Sequence, residues 1–197
     1  MQNIELDLSK FDKYYITPNF YKDISYDYFS KIEKLLDYGI KLIQFRSKNL
    51  SIDEYAKVSN IIYKLCKKYN AFYIINDYIN LENNHFCDGI QLTSNNLKNS
   101  EFKSISKKFL LIGSCHNLKE VEICNLNNFD LLLISPVRDT NNKTGIGWNK
   151  FNQLAKNSKI PVFALGGLNY DTDIENVKKN GGIGIAASSY YYNLFDS

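Results

Sequence analysis

The sequence has 197 residues, 44% of them hydrophobic and 23% charged, values that fit a globular chain able to bury a sizeable core and exclude a disordered one. The net charge of +3 is small and the lysines are dispersed, so no electrostatic footprint for nucleic acid is present. No apolar run is long enough to span a bilayer, and Met1 to Asp7 is acidic and lacks the apolar stretch of a signal peptide.

Short apolar runs then alternate with amphipathic ones along the chain. Tyr14 to Thr17 reads as a first strand. Tyr26 to Tyr38 follows as a helix with Phe29, Ile32, Leu35 and Leu36 on one face. Lys41 to Phe45 is the second strand. Ile52 to Tyr69 is the second helix, carrying Tyr55, Val58, Ile61, Ile62 and Leu65, with Asp53 near its start where the dipole favours an acid. Phe72 to Asn76 and Gly89 to Leu92 are the third and fourth strands. Phe109 to Gly113 is the fifth, followed by a helix over Leu118 to Leu126. Leu131 to Ser135, Val162 to Leu165 and Ile183 to Ala186 complete the strands. Trp148 to Ala155, Thr172 to Asn180 and a truncated Ser189 to Phe195 complete the helices. The strands are apolar on both faces, as expected of a parallel sheet covered by helices.

Eight such units predict an α/β fold, a single (β/α)8 TIM barrel over residues 1–197. The alternative is an open doubly wound sheet, which the absence of GxGxxG after the first strand disfavours. With 15 Tyr and 12 Phe, the core is expected to draw much of its volume from aromatics. Cys66, Cys87, Cys115 and Cys124 form no CxxC or zinc spacing and read as reduced thiols of a cytoplasmic protein.

In a parallel barrel the chemistry gathers where the strands end. Gln44, Arg46 and Lys48 alternate past the second strand and project to one side, toward the axis. A buried arginine there calls for an anionic ligand, the competing reading being a structural ion pair. Asn76 and Asp77 end the third strand, and Ser114 and His116 the fifth. His116 suits acid–base work at this rim, although a lone histidine is commonly a packing residue. His85 is expected at the surface. Gly166 and Gly167 after the seventh strand, with Ser188 and Ser189 after the eighth, form an expected phosphate cup of backbone amides. Ser135 to Gly145 reads as a lid carrying Thr140, Asn142 and Lys143, with a plain solvated loop as the alternative.

On these residues the chain resembles the thiamine phosphate synthase/TenI superfamily over nearly its whole length. Tyr14 to Pro18 is similar to the family's first strand, Gln44 to Lys48 to its QxRxK, and Asn76-Asp77 to its ND. Ser114-Cys115-His116 is similar to its SxH, Thr140 to Lys143 to its TxTK, and Leu165 to Leu168 to its IGGI. The resemblance implies that Gln44, Arg46, Lys48, Asn76 and Ser114 hold a pyrimidine diphosphate in the synthase branch, with Asp77 on magnesium. It implies that Thr140, Lys143, Gly167, Ser188 and Ser189 surround phosphates.

The chain also departs from the synthase pattern. Asn96 stands where synthases carry a second magnesium aspartate, and Asn142 where the lid has its second threonine. An amide oxygen is a poorer magnesium ligand than a carboxylate. Gln91-Leu92-Thr93-Ser94 and Thr140-x-x-Lys143-x-Gly145 look closer to the TenI branch, which isomerises a thiazole phosphate without metal and uses the histidine matching His116. Gly145-Ile146-Gly147-Trp148 and Gly113 to His116 also resemble synthase-like domains fused to Nudix hydrolases.

The leading expectation is therefore a cofactor-free thiazole tautomerase, with His116, Arg46 and Lys48 catalytic. The alternatives are a magnesium-dependent thiamine phosphate synthase and a non-catalytic binder of thiazole or thiamine phosphates. The expected partner is a small phosphate ester, neither nucleic acid nor membrane, and homodimerisation stays open.

Overall fold

The computed structural model describes residues 8–77, 87–105, 108–141 and 143–196. Eight parallel strands close into one barrel: β1 (Lys13–Ile16), β2 (Leu42–Phe45), β3 (Phe72–Asn76), β4 (Gly89–Leu92), β5 (Leu110–Cys115), β6 (Leu131–Ile134), β7 (Val162–Leu165) and β8 (Gly184–Ala187). Each strand pairs with its neighbours in sequence, and Tyr14 opposite Ala186 closes the ring between β1 and β8. This is a (β/α)8 TIM barrel.

The helices are α1 (Ser25–Asp37), α2 (Ile52–Lys68), α3 (Ser94–Lys98), α4 (Leu118–Leu126), α5 (Gly147–Lys156), α6 (Tyr170–Lys179) and α7 (Ser189–Tyr192). α3 is absent from the sequence reading: five residues are too few to carry a 3.6-residue period. Its start is fixed by Thr93, whose side chain accepts from the Asn96 N–H while Asn96 reaches back to the Thr93 N–H. α7 is a single turn, shorter than expected.

Period-two alternation divides the strand residues between two cores. Tyr14, Leu42, Ile74, Ile112, Leu131, Leu133, Phe163 and Ala186 fill the barrel. Tyr15, Ile43, Ile75, Leu132, Ile134, Ala164 and Ile185 point outward against the helices. The helices meet them on faces shifted slightly from those predicted. In α1, Tyr28 is buried and Phe29 only half so. In α2, Ile61 is exposed, while Ser59 and Cys66 join Tyr55, Val58 and Ile62. Ser59 is tolerated there because its hydroxyl meets the Tyr73 hydroxyl at 2.6 Å. α4 lies so close to β5 that a Cβ on Gly113 would sit 2.5 Å from the Cys124 Sγ.

Candidate active site

The floor of the barrel mouth is a chain of four polar side chains. Gln44 of β2 is fully buried, and its amide nitrogen donates to the Tyr14 hydroxyl at 2.9 Å and to the Gln91 Oε1. The Tyr14 hydroxyl also donates to Gln91 Oε1, at 3.1 Å. Burial raises the Tyr14 pKa well above its ordinary value, so the phenol stays a neutral donor. The oxygen of Gln91 is thereby committed, and its nitrogen donates to Ser114 Oγ at 3.0 Å. The Ser114 hydroxyl proton is left to face the cavity above. Gln44 Oε1 is buried with no partner among the described residues.

That cavity, about 470 Å3, is lined by Gln44, Arg46, Lys48, Asn76, Gln91, Ser114, His116, Ser135 and Lys143, among others. β2 ends at Phe45, and the next residues are tied to the loop after β1. The Arg46 N–H donates to Thr17 Oγ1 at 3.0 Å and the Lys48 N–H to Asn19 Oδ1 at 3.1 Å. Arg46 is half-buried, and among the described residues no carboxylate pairs with it. The structural ion pair considered for it is therefore not found among them. Lys48 and Lys143 are exposed on the same rim and likewise lack carboxylate partners there.

His116 sits just past β5, and its Nδ1 lies 2.5 Å from the carbonyl oxygen of Ser135, just past β6. A carbonyl only accepts, so Nδ1 carries the proton and Nε2 is the basic nitrogen of the neutral ring. The His116 backbone N–H donates to Glu120 Oε2 at 2.6 Å. Glu120, in the first turn of α4, is only 2% exposed and also accepts from Ser94 Oγ.

A second cavity, about 730 Å3, opens beside the first and shares Leu165 and Ser188 with it. Gly166, Gly167, Ser188, Ser189 and Thr140 line it. Among the described residues, none accepts a hydrogen bond from the backbone N–H of Gly166, Gly167, Ser188 or Ser189. Those donors are free for an anion. Glycine is needed at 167 because φ is +67° and a Cβ would lie 2.8 Å from the Asp139 oxygen. That oxygen belongs to the loop after β6, which is held firmly at its base. Val137 N–H donates to Leu165 O at 2.9 Å, Arg138 N–H to Gly166 O at 3.1 Å, and Arg138 pairs with buried Asp173 at 2.5 Å. Thr140 and Lys143 close the tip as a small antiparallel bridge. Asn142 and His85 lie outside the described residues.

The donor set for magnesium is thin. Asp77 is exposed, with φ of +63°, and its Oδ1 accepts from Thr93 Oγ1 at 3.3 Å. Asn96 Oδ1 is engaged by the Thr93 N–H at 3.0 Å and the Thr93 hydroxyl at 2.5 Å, in the cap of α3. Among the described residues no group of three or more His, Cys, Asp or Glu could hold a metal ion. These residues do not fit a two-carboxylate magnesium site.

A family model described as thiamine monophosphate synthase matches residues 13–190, which spans the whole barrel and every rim residue above. The chain belongs to the thiamine monophosphate synthase family. Within that family it is 30% identical over 161 residues to a thiamine-phosphate synthase of Methanococcus maripaludis, covering 80% of this chain and 77% of the relative. It is 29% identical over 147 residues to one of Fusobacterium nucleatum, covering 73% and 71%. Among solved structures, a thiamine phosphate pyrophosphorylase from Pyrococcus furiosus superposes with a TM-score of 0.78 at 25% identity, over 92% of this chain and 87% of that one.

Of the residues expected from sequence, Gln44, Arg46, Lys48, Asn76, Ser114, His116 and Lys143 share the first cavity, and Thr140, Gly166, Gly167, Ser188 and Ser189 the second. Asp77 lines neither. Glu120 was missed, and Tyr14 and Gln91 entered only as parts of the family resemblance, without a place in the site. Gln91 is a lone polar residue in an otherwise apolar strand, and Asn117-x-x-Glu120 has the spacing of a helix cap, so both left a trace.

Proposed function

We propose that this member of the thiamine monophosphate synthase family is a thiazole tautomerase, aromatising a carboxythiazole phosphate in the cytoplasm as a single-domain, cofactor-free enzyme. The observation that carries the reading is His116, held with Nδ1 protonated and Nε2 basic at the wall of a cavity that adjoins an anion cup. In this reading the phosphate rests on the free amides of Gly166, Gly167, Ser188 and Ser189, with Thr140 and Lys143 beside it. The ring lies over Gln44, Asn76 and Ser114, and the substrate carboxylate faces Arg46 or Lys48. His116 Nε2 removes a proton from the ring carbon, the electron pair shifts toward the exocyclic double bond, and the imidazolium returns the proton to the exocyclic carbon. Nothing is gained or lost overall, and the product ring is aromatic.

The deciding variant is His116→Asn. Its tautomerisation rate is expected to fall by about 100-fold or more, with inorganic phosphate still bound at the cup. Unchanged turnover would remove His116 from the chemistry.

The names of the relatives favour a second reading, thiamine phosphate synthase, in which the thiazole nitrogen is alkylated by the pyrimidine methylene and pyrophosphate departs. Asp77 at the rim is its one retained carboxylate. Incubating the chain with both substrates, with and without magnesium, separates the readings: pyrophosphate release supports the synthase, and its absence beside tautomerase turnover supports the first. Ligand binding with neither turnover supports a binding protein.

A further inference from the structure

Two carboxylates are buried among the described residues, Asp173 and Glu120. Asp173 has Arg138 and the Asn169 N–H as partners. Among the described residues the only cationic partner of Glu120 is Lys98, at 4.0 Å on a mostly exposed side chain, too weak a pair to account for its burial. Its oxygens are instead occupied by donors from two walls of the mouth, the His116 N–H and the Ser94 hydroxyl.

We propose that Glu120 is a positioning residue for the His116 imidazole, acting by its reach rather than by its charge. An acid three residues past the N-cap ordinarily turns back to the cap's own N–H. Asn117 does cap α4, accepting from the Glu120 N–H at 3.1 Å. The Glu120 side chain, however, bypasses Asn117 and extends one residue further, to His116. The histidine is therefore gripped at both ends, its backbone nitrogen by Glu120 and its ring Nδ1 by the Ser135 carbonyl. With both ends fixed, the direction of Nε2 is fixed too. The Ser94 tether locks this clamp to the first turn of α3, which forms the adjacent wall of the cavity.

The role of Glu120 in turnover rests on the tautomerase reading, but the clamp can be read without it. Glu120→Gln keeps the reach and loses the charge; Glu120→Asp keeps the charge and loses the reach. Long-range imidazole 15N spectra of the full chain, with His85→Asn used for assignment, report the His116 tautomer directly. The neutral ring is expected to be protonated at Nδ1 in the parent and in Glu120→Gln, and to become a mixture in Glu120→Asp. Turnover should follow the same order, nearly retained in Gln and about 10- to 100-fold lower in Asp, with inorganic phosphate affinity unchanged in both. An Asp variant with the parent tautomer, or a Gln variant as disturbed as Asp, overturns the proposal. Should the parent chain lack tautomerase turnover, the functional reading falls and the spectra still decide the clamp.

Discussion

At the residue scale, a half-buried guanidinium without a carboxylate beside it is a standing electrostatic cost unless an anion visits. Among the described residues Arg46 is in that position, and its replacement separates function from stability. Arg46→Gln is expected to leave unfolding free energy within about 0.5 kcal/mol of the parent. Affinity for a carboxylated thiazole phosphate should fall about 10-fold or more, the worth of a charge-assisted hydrogen bond. Thermal melting and calorimetric titration read the two effects, and a large stability loss with unchanged affinity would make Arg46 structural. The placement of Arg46 and His116 at the barrel mouth was legible in the sequence because both follow the end of a strand run. Tyr14 and Glu120 were not, since their roles depend on partners distant along the chain: Gln91 for Tyr14 and Ser94 for Glu120.

At the element scale, α2 carries a full capping box, Ser51 accepting from the Glu54 N–H while Glu54 accepts from the Ser51 N–H. The Glu54 carboxylate is further bonded to Lys22 at 2.7 Å, between α2 and the loop before α1. Lys22 first, then Ser51, hold its pKa at about 2, down from 4.5. The folded value is the lower one, so the interaction stabilises fully above pH 4.5 and is lost as pH falls toward 2. Ser51→Ala should cost about 1 kcal/mol at neutral pH, and the deficit should shrink as Glu54 protonates. Urea midpoints for parent and variant between neutral pH and pH 2 test this; a deficit independent of pH would detach the cap from the Glu54 charge. The long helices were readable from their periodicity, α3 was not, and the exact faces shifted because polar Ser59 found a buried partner in Tyr73 that no hydropathy pattern announces.

At the scale of the whole molecule, eight apolar strand runs were enough to anticipate the barrel, but outside β2, whose inner side Gln44, Arg46 and Lys48 mark, not which alternate residues face its axis, because both faces are apolar. That division matters, since only the inner core supports the floor of the mouth. Phe163 meets Tyr14 edge-on inside the barrel, with ring centroids 6.1 Å apart, and Tyr14 anchors the Gln44, Gln91 and Ser114 network. Leu154 of α5 is equally buried but packs in the outer core. Phe163→Ala and Leu154→Ala should each lose several kcal/mol, about 3–5 and 2–5 respectively, from lost burial and residual cavity. Turnover per folded molecule should part company. Phe163→Ala frees the Tyr14 ring to move and loosens the polar floor, so kcat drops about 10-fold. Leu154→Ala leaves that floor supported and kcat near the parent value. Denaturant unfolding and kcat, measured at a temperature where both variants are folded, make the comparison. Equal losses of kcat would mean that the two cores are mechanically one, and that the site draws its rigidity from the barrel as a whole rather than from its interior.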